Sequence, residues 1–507
     1  MRKKIKYGWL LILLPFLHGC YSDKEKETPV INSIQLKESV LSLSKEASGL
    51  RVPWDLQYDR FNQTILFSEI DGSIRKLDIR TKRVSLVDSL KDVYHQRTLG
   101  LLGMSLYQPE GGQAFLYLSY TSKRDSLIFS NLYRYHYSAD GKLSNPKLML
   151  QIPGNTGHNG SRVIVSTDEK VYWATGDAAN DTFAQDSSSL NGKILRLNLD
   201  GSIPADNPIP NSYVYAWGFR NMQGLTYNAK GTIYSSEHGD AIEDEINLIQ
   251  PLKNYGWPQI EGKIDTEKEK AIAKRSPRTE PIKSWTPVIA PSGMAYYGLQ
   301  TIPEWQNSLI LATLKNQSLR ILKLSADGKN IIDEQILFKD QLGRLRSVLV
   351  LPNGDIYFCS SNRDWNPQKG FPKADDDVIY RLRLSDRATA PVLKPQAAGN
   401  DALEKKNGQV LYDAYCASCH KADGKGLTNT FPPLAQSKLV NGNPKTLLKL
   451  LLHGLKGQKV QGIKYEGAMP AFAFLKDEEI IELANYIRTH FGNKATTINQ
   501  QNLTSLR

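Results

Sequence analysis

From about Leu50 to Leu384, short apolar runs alternate with polar ones. Gly, Asp, Asn and Pro break these runs before any helical period develops. A loose refrain recurs as Gly72-Ser73-Ile74-Arg75-Lys76-Leu77, Gly192-Lys193-Ile194-Leu195-Arg196-Leu197, Ser318-Leu319-Arg320-Ile321-Leu322 and Val378-Ile379-Tyr380-Arg381-Leu382. Tight turns separate the runs at Asp140-Gly141, Asp200-Gly201, Asp327-Gly328 and Asn353-Gly354. Repeated short sheets of this kind predict a β-propeller, in which radial repetition protects the strand edges. Residues 49–385 would hold six blades of about 55 residues each, although the irregular spacing does not itself fix the number.

The pattern changes at both ends. Residues 386–402 (Ala388-Thr389-Ala390-Pro391 and onward) read as an extended linker, and helical periodicity begins beyond it. A last helix is expected over Asp477 to His490, with Ile480, Ile481, Leu483, Ala484 and Ile487 on one face against a helix around Val410 to Tyr415. The whole is an all-β six-bladed propeller followed by a small all-α domain over 403–492, with 493–507 a frayed tail. At the other end, Arg2, Lys3, Lys4 and Lys6 precede an apolar stretch, Gly8 to Leu17, too short to span a bilayer comfortably. That is the form of an export signal over 1–19. Residues 20–48 are polar and rich in Lys and Glu, which predicts a tether.

Composition narrows the function. The formal charge of +12 favours an acidic partner or anionic surface and does not specify nucleic acid, for which the chain has no motif. Roughly half of that excess lies in the last fifth of the chain, a lysine-rich face for an acidic electron-transfer partner or simply a solvated surface. Four cysteines are too few for a disulfide scaffold. Cys359 lies in an apolar strand and reads as a buried thiol. Cys416-Ala417-Ser418-Cys419-His420 is the attachment signature of haem c: the two thiols at this spacing bond one haem and the adjacent imidazole binds its iron.

Three resemblances add to these readings. Leu17-His18-Gly19-Cys20 resembles the lipobox of bacterial lipoproteins, with His18 in place of the usual small residue. It implies cleavage before Cys20, lipidation of that thiol and a membrane-anchored protein at the periplasmic side or cell surface. The helical segment resembles class I cytochromes c, with Pro432-Pro433-Leu434 and then Gly467-Ala468-Met469-Pro470 after the haem signature. The resemblance implies Met469 as the second iron ligand; a core methionine is the alternative. His/Met ligation raises the haem potential and suits it to accept electrons.

The third resemblance covers nearly all of the middle. Gly218-Phe219-Arg220-Asn221-Met222-Gln223-Gly224-Leu225, Asp244-Glu245-Ile246-Asn247-Leu248-Ile249, Asn254-Tyr255-Gly256-Trp257-Pro258, Gly192 to Pro208 and Ala290-Pro291-Ser292-Gly293 resemble the soluble quinoprotein glucose/sorbosone dehydrogenases. That family implies a six-bladed propeller holding pyrroloquinoline quinone (PQQ) and Ca2+, and oxidation of an aldose at its anomeric carbon to a lactone. It implies His158 as general base, a role suited to an imidazole that titrates near neutrality. Arg220, Asn221 and Gln223 match its cofactor motif, Arg220 with Asn221 stabilising charge on the reduced quinone. Lys315, Arg344 and Arg346 match its carboxylate clamps, for which cationic side chains are suited. Main-chain carbonyls of Gly239 and Asp240 correspond to its calcium ligands, and Glu245 and Tyr255 to a second calcium position. Three departures stand out: Gly157 replaces the Asp that orients the base, Thr98 stands where Gln or Glu is usual, and Trp285 is one residue off a quinone-stacking Trp, with Thr286 in register. They put the sugar in question and leave open another alcohol or hemiacetal, such as an oligosaccharide end. A propeller without cofactor, serving as a binding module, is the rival from another class. The electrons would leave the haem for a downstream cytochrome or other acceptor.

Overall fold

A computed structural model describes residues 25–365, 370–398, 407–465, 467–504 and 506; the signal segment, Cys20 and the junction at 399–406 lie outside them. Six antiparallel sheets form a ring. The first strands of successive blades are Pro53–Asp59 (β1), Leu101–Tyr107 (β2), Gly160–Val165 (β3), Met222–Tyr227 (β4), Pro291–Tyr297 (β5) and Leu345–Val350 (β6). Each packs against the next, and β6 packs against β1, so the ring is closed. Second strands such as Thr64–Glu69, Ser308–Thr313 and Ile356–Ser360 are buried along their whole length. Neighbouring blades cover both their faces, which is why these strands read as continuous runs. Tyr117, Val163, Trp173 and Leu195 fill the space between the second and third blades.

Closure of the sixth blade corrects one expectation. Residues 30–47 are not part of a tether. Val40–Ala47 pairs with Ile379–Ser385, and Val30–Gln35 pairs with Val40–Ala47. The stretch hides its core pattern because its inward-facing apolar residues, Ile34, Leu36, Leu41 and Leu43, are scattered among serines and charged residues. The expected linker also begins later than residue 386. Val392–Leu393 runs parallel to Val30–Gln35, and Gln396–Ala397 pairs with the outer strand of the fifth blade.

The C-terminal domain comprises Gly408–Tyr415 (α1), Ala417–His420 (α2), Pro444–His453 (α3), Asp477–Thr489 (α4) and Gln500–Thr504 (α5), with a short helix at Lys438–Asn441. Asn407 caps α1 by accepting from the Val410 amide. The helix crosses α4 so closely that a Cβ at Gly408 would lie 2.3 Å from the Glu482 carbonyl oxygen. Leu411, Tyr412, Leu448, Leu451, Ile480, Leu483 and Ile487 form the core. The tail is ordered rather than frayed: Ile498 and Leu503 are buried in that same core. Among the described residues no helix is long and apolar enough to cross a membrane.

Candidate active site

The candidate residues collect at one end of the ring because of strand direction. His158 and Asn159 immediately precede β3, Arg220 and Asn221 precede β4, and Arg344 precedes β6. Asp177, Gly239, Asp240, Lys315 and Asp364 lie on turns after second strands, which end on the same face as first strands begin. Thr98 sits exposed on the loop before β2 at this face.

His158 stands at φ 53°, a left-handed conformation that a non-glycine residue adopts at a cost. Its Nδ1 lies 2.9 Å from Asp177 Oδ1. Asp177 also accepts from Trp257 Nε1 at 2.8 Å and from the Ala179 amide at 2.8 Å, so the carboxylate is fixed and fully buried. The imidazole therefore donates from Nδ1 and keeps Nε2 as an acceptor. Asp177 does what the sequence comparison assigned to the residue replaced by Gly157. Burial and the charge of Arg220 pull the His158 pKa below its usual value, against the pull of Asp177. That shift favours the neutral ring.

The cations converge beside it. The Arg220 guanidinium lies 5.3 Å from the Trp257 ring centroid and pairs with Asp240 at 2.7 Å. Arg346 donates to Ser361 Oγ (2.9 Å) and Asp364 Oδ2 (2.5 Å), while Arg344 lies 3.7 Å from the same carboxylate. Burial, with repulsion from Arg346, brings the Arg344 pKa down to about 10. His238, which sequence reasoning passed over, is pushed down to about 3 by burial and by the charges of Arg220, Arg346 and Arg344. The Asn221 side-chain Oδ1 accepts from Gln223 Nε2 (3.1 Å) and from the Gly160 amide (3.2 Å), which ties β4 to β3. Lys315 is half-buried and donates to the Ala414 carbonyl at 2.5 Å.

This cluster fits an anion with several carboxylates. Nε of Arg220, Nε of Arg344 and Nε2 of His238 are buried without a hydrogen-bond partner. Such atoms are costly unless a ligand engages them. Trp285 does not face the cleft: it packs between the fourth and fifth blades and donates to Glu334. Trp257 is the tryptophan at the mouth. Its motif was visible, but its partner Asp177 lies 80 residues earlier.

A narrow, partly open pocket adjoins the cations, lined by Gly218, Glu237, Gly239, Glu243, Glu245 and Glu261 among others. Glu245 accepts from the Gly262 amide at 2.7 Å and from Asn247 at 2.8 Å, and the Tyr255 hydroxyl donates to the Leu248 carbonyl at 2.6 Å. Burial raises Glu245 and Glu261 to about 7, Asp244 to about 6, and Glu237 well above the usual range. Among the described residues no three His, Cys, Asp or Glu side chains form a ready metal cage. The acids nonetheless fit a hard cation, whose charge would favour their ionised form.

In the helical domain, His420 Nδ1 lies 2.9 Å from the Pro432 carbonyl oxygen, which orients the ring for iron through Nε2. The Met469 backbone exchanges hydrogen bonds with Leu455, both 2.8 Å, and its side chain packs on the cluster that contains Cys416. Cys359 is fully buried, with its thiol pushed up to about 12, as befits an inert core residue.

The sequence of the propeller matches a known family. A model of glucose/sorbosone dehydrogenases matches residues 50–366. The chain belongs to the glucose/sorbosone dehydrogenase family. A cytochrome c model matches residues 405–491. The chain is similar to aldose sugar dehydrogenase YliI of Escherichia coli, 28% identical over 339 residues covering 63% of this chain and 90% of that one. Its C-terminal part is 43% identical over 100 residues to cytochrome c-552 of Thermus thermophilus, covering 19% of this chain and 67% of that one. A solved PQQ-bound aldose sugar dehydrogenase from Streptomyces coelicolor superposes with a TM-score of 0.59 at 30% identity, covering 71% of this chain and 100% of that one. This glucose/sorbosone dehydrogenase is thus an oxidoreductase propeller of the quinoprotein type fused to a cytochrome c domain.

Proposed function

We propose that the protein is a quinohaemoprotein that oxidises an aldose at its anomeric carbon to a lactone, using PQQ and Ca2+ on the propeller and one covalent haem c beyond it. The observation that carries this reading is the fixed His158–Asp177 pair, 2.9 Å apart, beside guanidinium and imidazole nitrogens that lack partners. Arg220, Arg344 and Lys315 would hold the quinone's carboxylates, with Arg346 bracing Arg344 through Asp364. Carbonyls of Gly239 and Asp240, with the acids behind them, would hold calcium. Bound there, PQQ supplies a two-electron acceptor for the anomeric hydride. His158 Nε2 takes the anomeric hydroxyl proton, and Asp177 holds the ring while it is charged. Trp257 and the loops around it narrow the mouth and exclude water. Haem c, attached at Cys416 and Cys419 and ligated by His420 and Met469, supplies a one-electron carrier. Each sugar thus gives up two electrons and two protons, and an external one-electron acceptor, such as a soluble cytochrome, takes the electrons in turn.

The test is a sugar panel on the protein reconstituted with PQQ and Ca2+, read at the haem absorption band. Reduction by aldoses but not by simple alcohols is expected; reduction by no sugar sinks the reading. The Leu17 to Cys20 motif supports export and lipidation, which would place the protein on the outer side of a bacterial membrane. Cys20→Ser should then move it from the membrane to the soluble fraction. Equal partitioning of mutant and wild type would reject the anchor.

A further inference from the structure

The haem domain sits over the mouth of the cation cluster, and the contacts that hold it there involve the cluster itself. Lys315 donates to the carbonyl of Ala414, in the last turn of α1 and two residues before Cys416. Helix C-termini carry carbonyls without helical partners and partial negative charge, so they favour an ammonium. On the propeller side the charge of Lys315 is favoured by Asp244. At the rim, Lys456 Nζ pairs with Asp181 at 3.0 Å, and Ala241 of the propeller packs into the apolar cluster of the haem domain. Lys421, next to the haem ligand His420, feels the positive charge of Arg344 across the interface.

Two of these contacts respond to whatever fills the pocket. An ammonium has three donors, and Ala414 uses one of them. A carboxylate on the propeller side can take another without breaking the first. Arg344 and Lys421 carry like charges across the boundary, offset only in part by Asp364 beside Arg344 and by Asp423, so with no anion in the pocket their residual repulsion opposes docking. A tricarboxylate engaged by Arg344 removes that opposition.

We propose that Lys315 is a ligand shared by the two domains, so that filling the cation cluster with a polycarboxylate quinone tightens docking of the haem domain. The proposal rests on the PQQ reading above. It makes the haem seat its attachment turn over the pocket most firmly when there is a quinone to take electrons from.

The experiment places thiols at the rim, Asp181→Cys with Lys456→Cys, in a Cys20→Ser background. Cys359 is buried, and Cys416 and Cys419 are bound to haem, so only the new pair reacts. The rate of cross-linking by a short bis-maleimide is measured with and without PQQ, in Ca2+, and quinone binding is measured on the same samples by quenching of tryptophan fluorescence. PQQ should speed cross-linking by about three- to tenfold, the worth of one net hydrogen bond. Lys421→Gln on the same background should raise the quinone-free rate and shrink the gain. If no quinone binds, the reading of the pocket fails and the proposal falls with it. If quinone binds and the rate stays level or drops, the proposal alone is overturned. An unchanged quinone-free rate in Lys421→Gln overturns the repulsion half of the argument.

Discussion

The propeller and the haem domain prepare their redox sites in opposite ways. At the propeller mouth the groups are charged or potentially charged, held on loops from several blades, and partly without partners: Arg220, Arg344 and His238 each leave a buried nitrogen free. In the haem domain, one short helix with its N-cap residue Cys416 carries both thiols and the iron-binding imidazole, and a single carbonyl orients that ring. The first site is suited to gripping an exchangeable ligand by charge, the second to covalent retention. What removes one group should therefore leave the other in place.

The largest effect is expected at the base. His158→Ala should lower sugar-dependent dye reduction by about 10²- to 10⁴-fold while PQQ still binds. Asp177→Asn should approach the same loss, because an amide no longer fixes the Nδ1–H tautomer. Near-normal turnover in either variant would show that the proton leaves by another group. Because the His158 pKa is depressed, its neutral form persists to lower pH than that of a free histidine. The acid limb of kcat/KM should therefore lie at lower pH than an unperturbed histidine would give.

Next comes the grip. Arg344→Ala with Arg346→Ala should weaken PQQ binding by roughly tenfold or more for each charge-assisted hydrogen bond lost. Haem content, measured as pyridine haemochrome, should not change. A fall in haem content would erase the contrast between the two sites.

A smaller effect concerns the acids. Glu245, Glu261 and Asp244 have pKa values raised by burial in the folded protein, so the fold favours their protonated form. That contribution is fully present below about pH 4 and is lost as pH rises through 6 to 7. Chelator-treated protein should thus melt a few degrees higher at pH 5.5 than at pH 8. Ca2+ should raise the melting temperature at pH 8 and have little effect at pH 5.5. Equal calcium effects at both pH values would separate the acids from the cation.

The smallest disturbance of the propeller is expected from Met469→Ala. Haem should stay attached through Cys416 and Cys419, its potential should fall without the thioether, and dye reduction at the quinone should match wild type. Loss of dye activity would mean that the haem ligand supports the sugar site directly.

The two sites also differed in how far the sequence disclosed them. Cys416 to His420 and Arg220-Asn221 are contiguous motifs, and His158 lies within one, so their chemistry can be read along the chain. Asp177, His238 and Asp364 matter because loops from different blades meet, and no local pattern marks them. The same holds for Val40–Ala47: its alternation is diluted by serines, and the strand that completes it, Ile379–Ser385, lies more than 330 residues later. Trp285 shows a different case: read as one residue off the family's quinone-stacking position, it packs between blades instead.

That last pairing has a consequence in time. The ring cannot shut until Ile379–Ser385 has been made, although its partner strand is among the first residues to emerge. At ribosomal speeds of about 5–20 residues per second, the wait is on the order of 20 to 70 seconds. Throughout it Val40–Ala47 presents an open β-edge, the kind of template on which chains pair wrongly with one another.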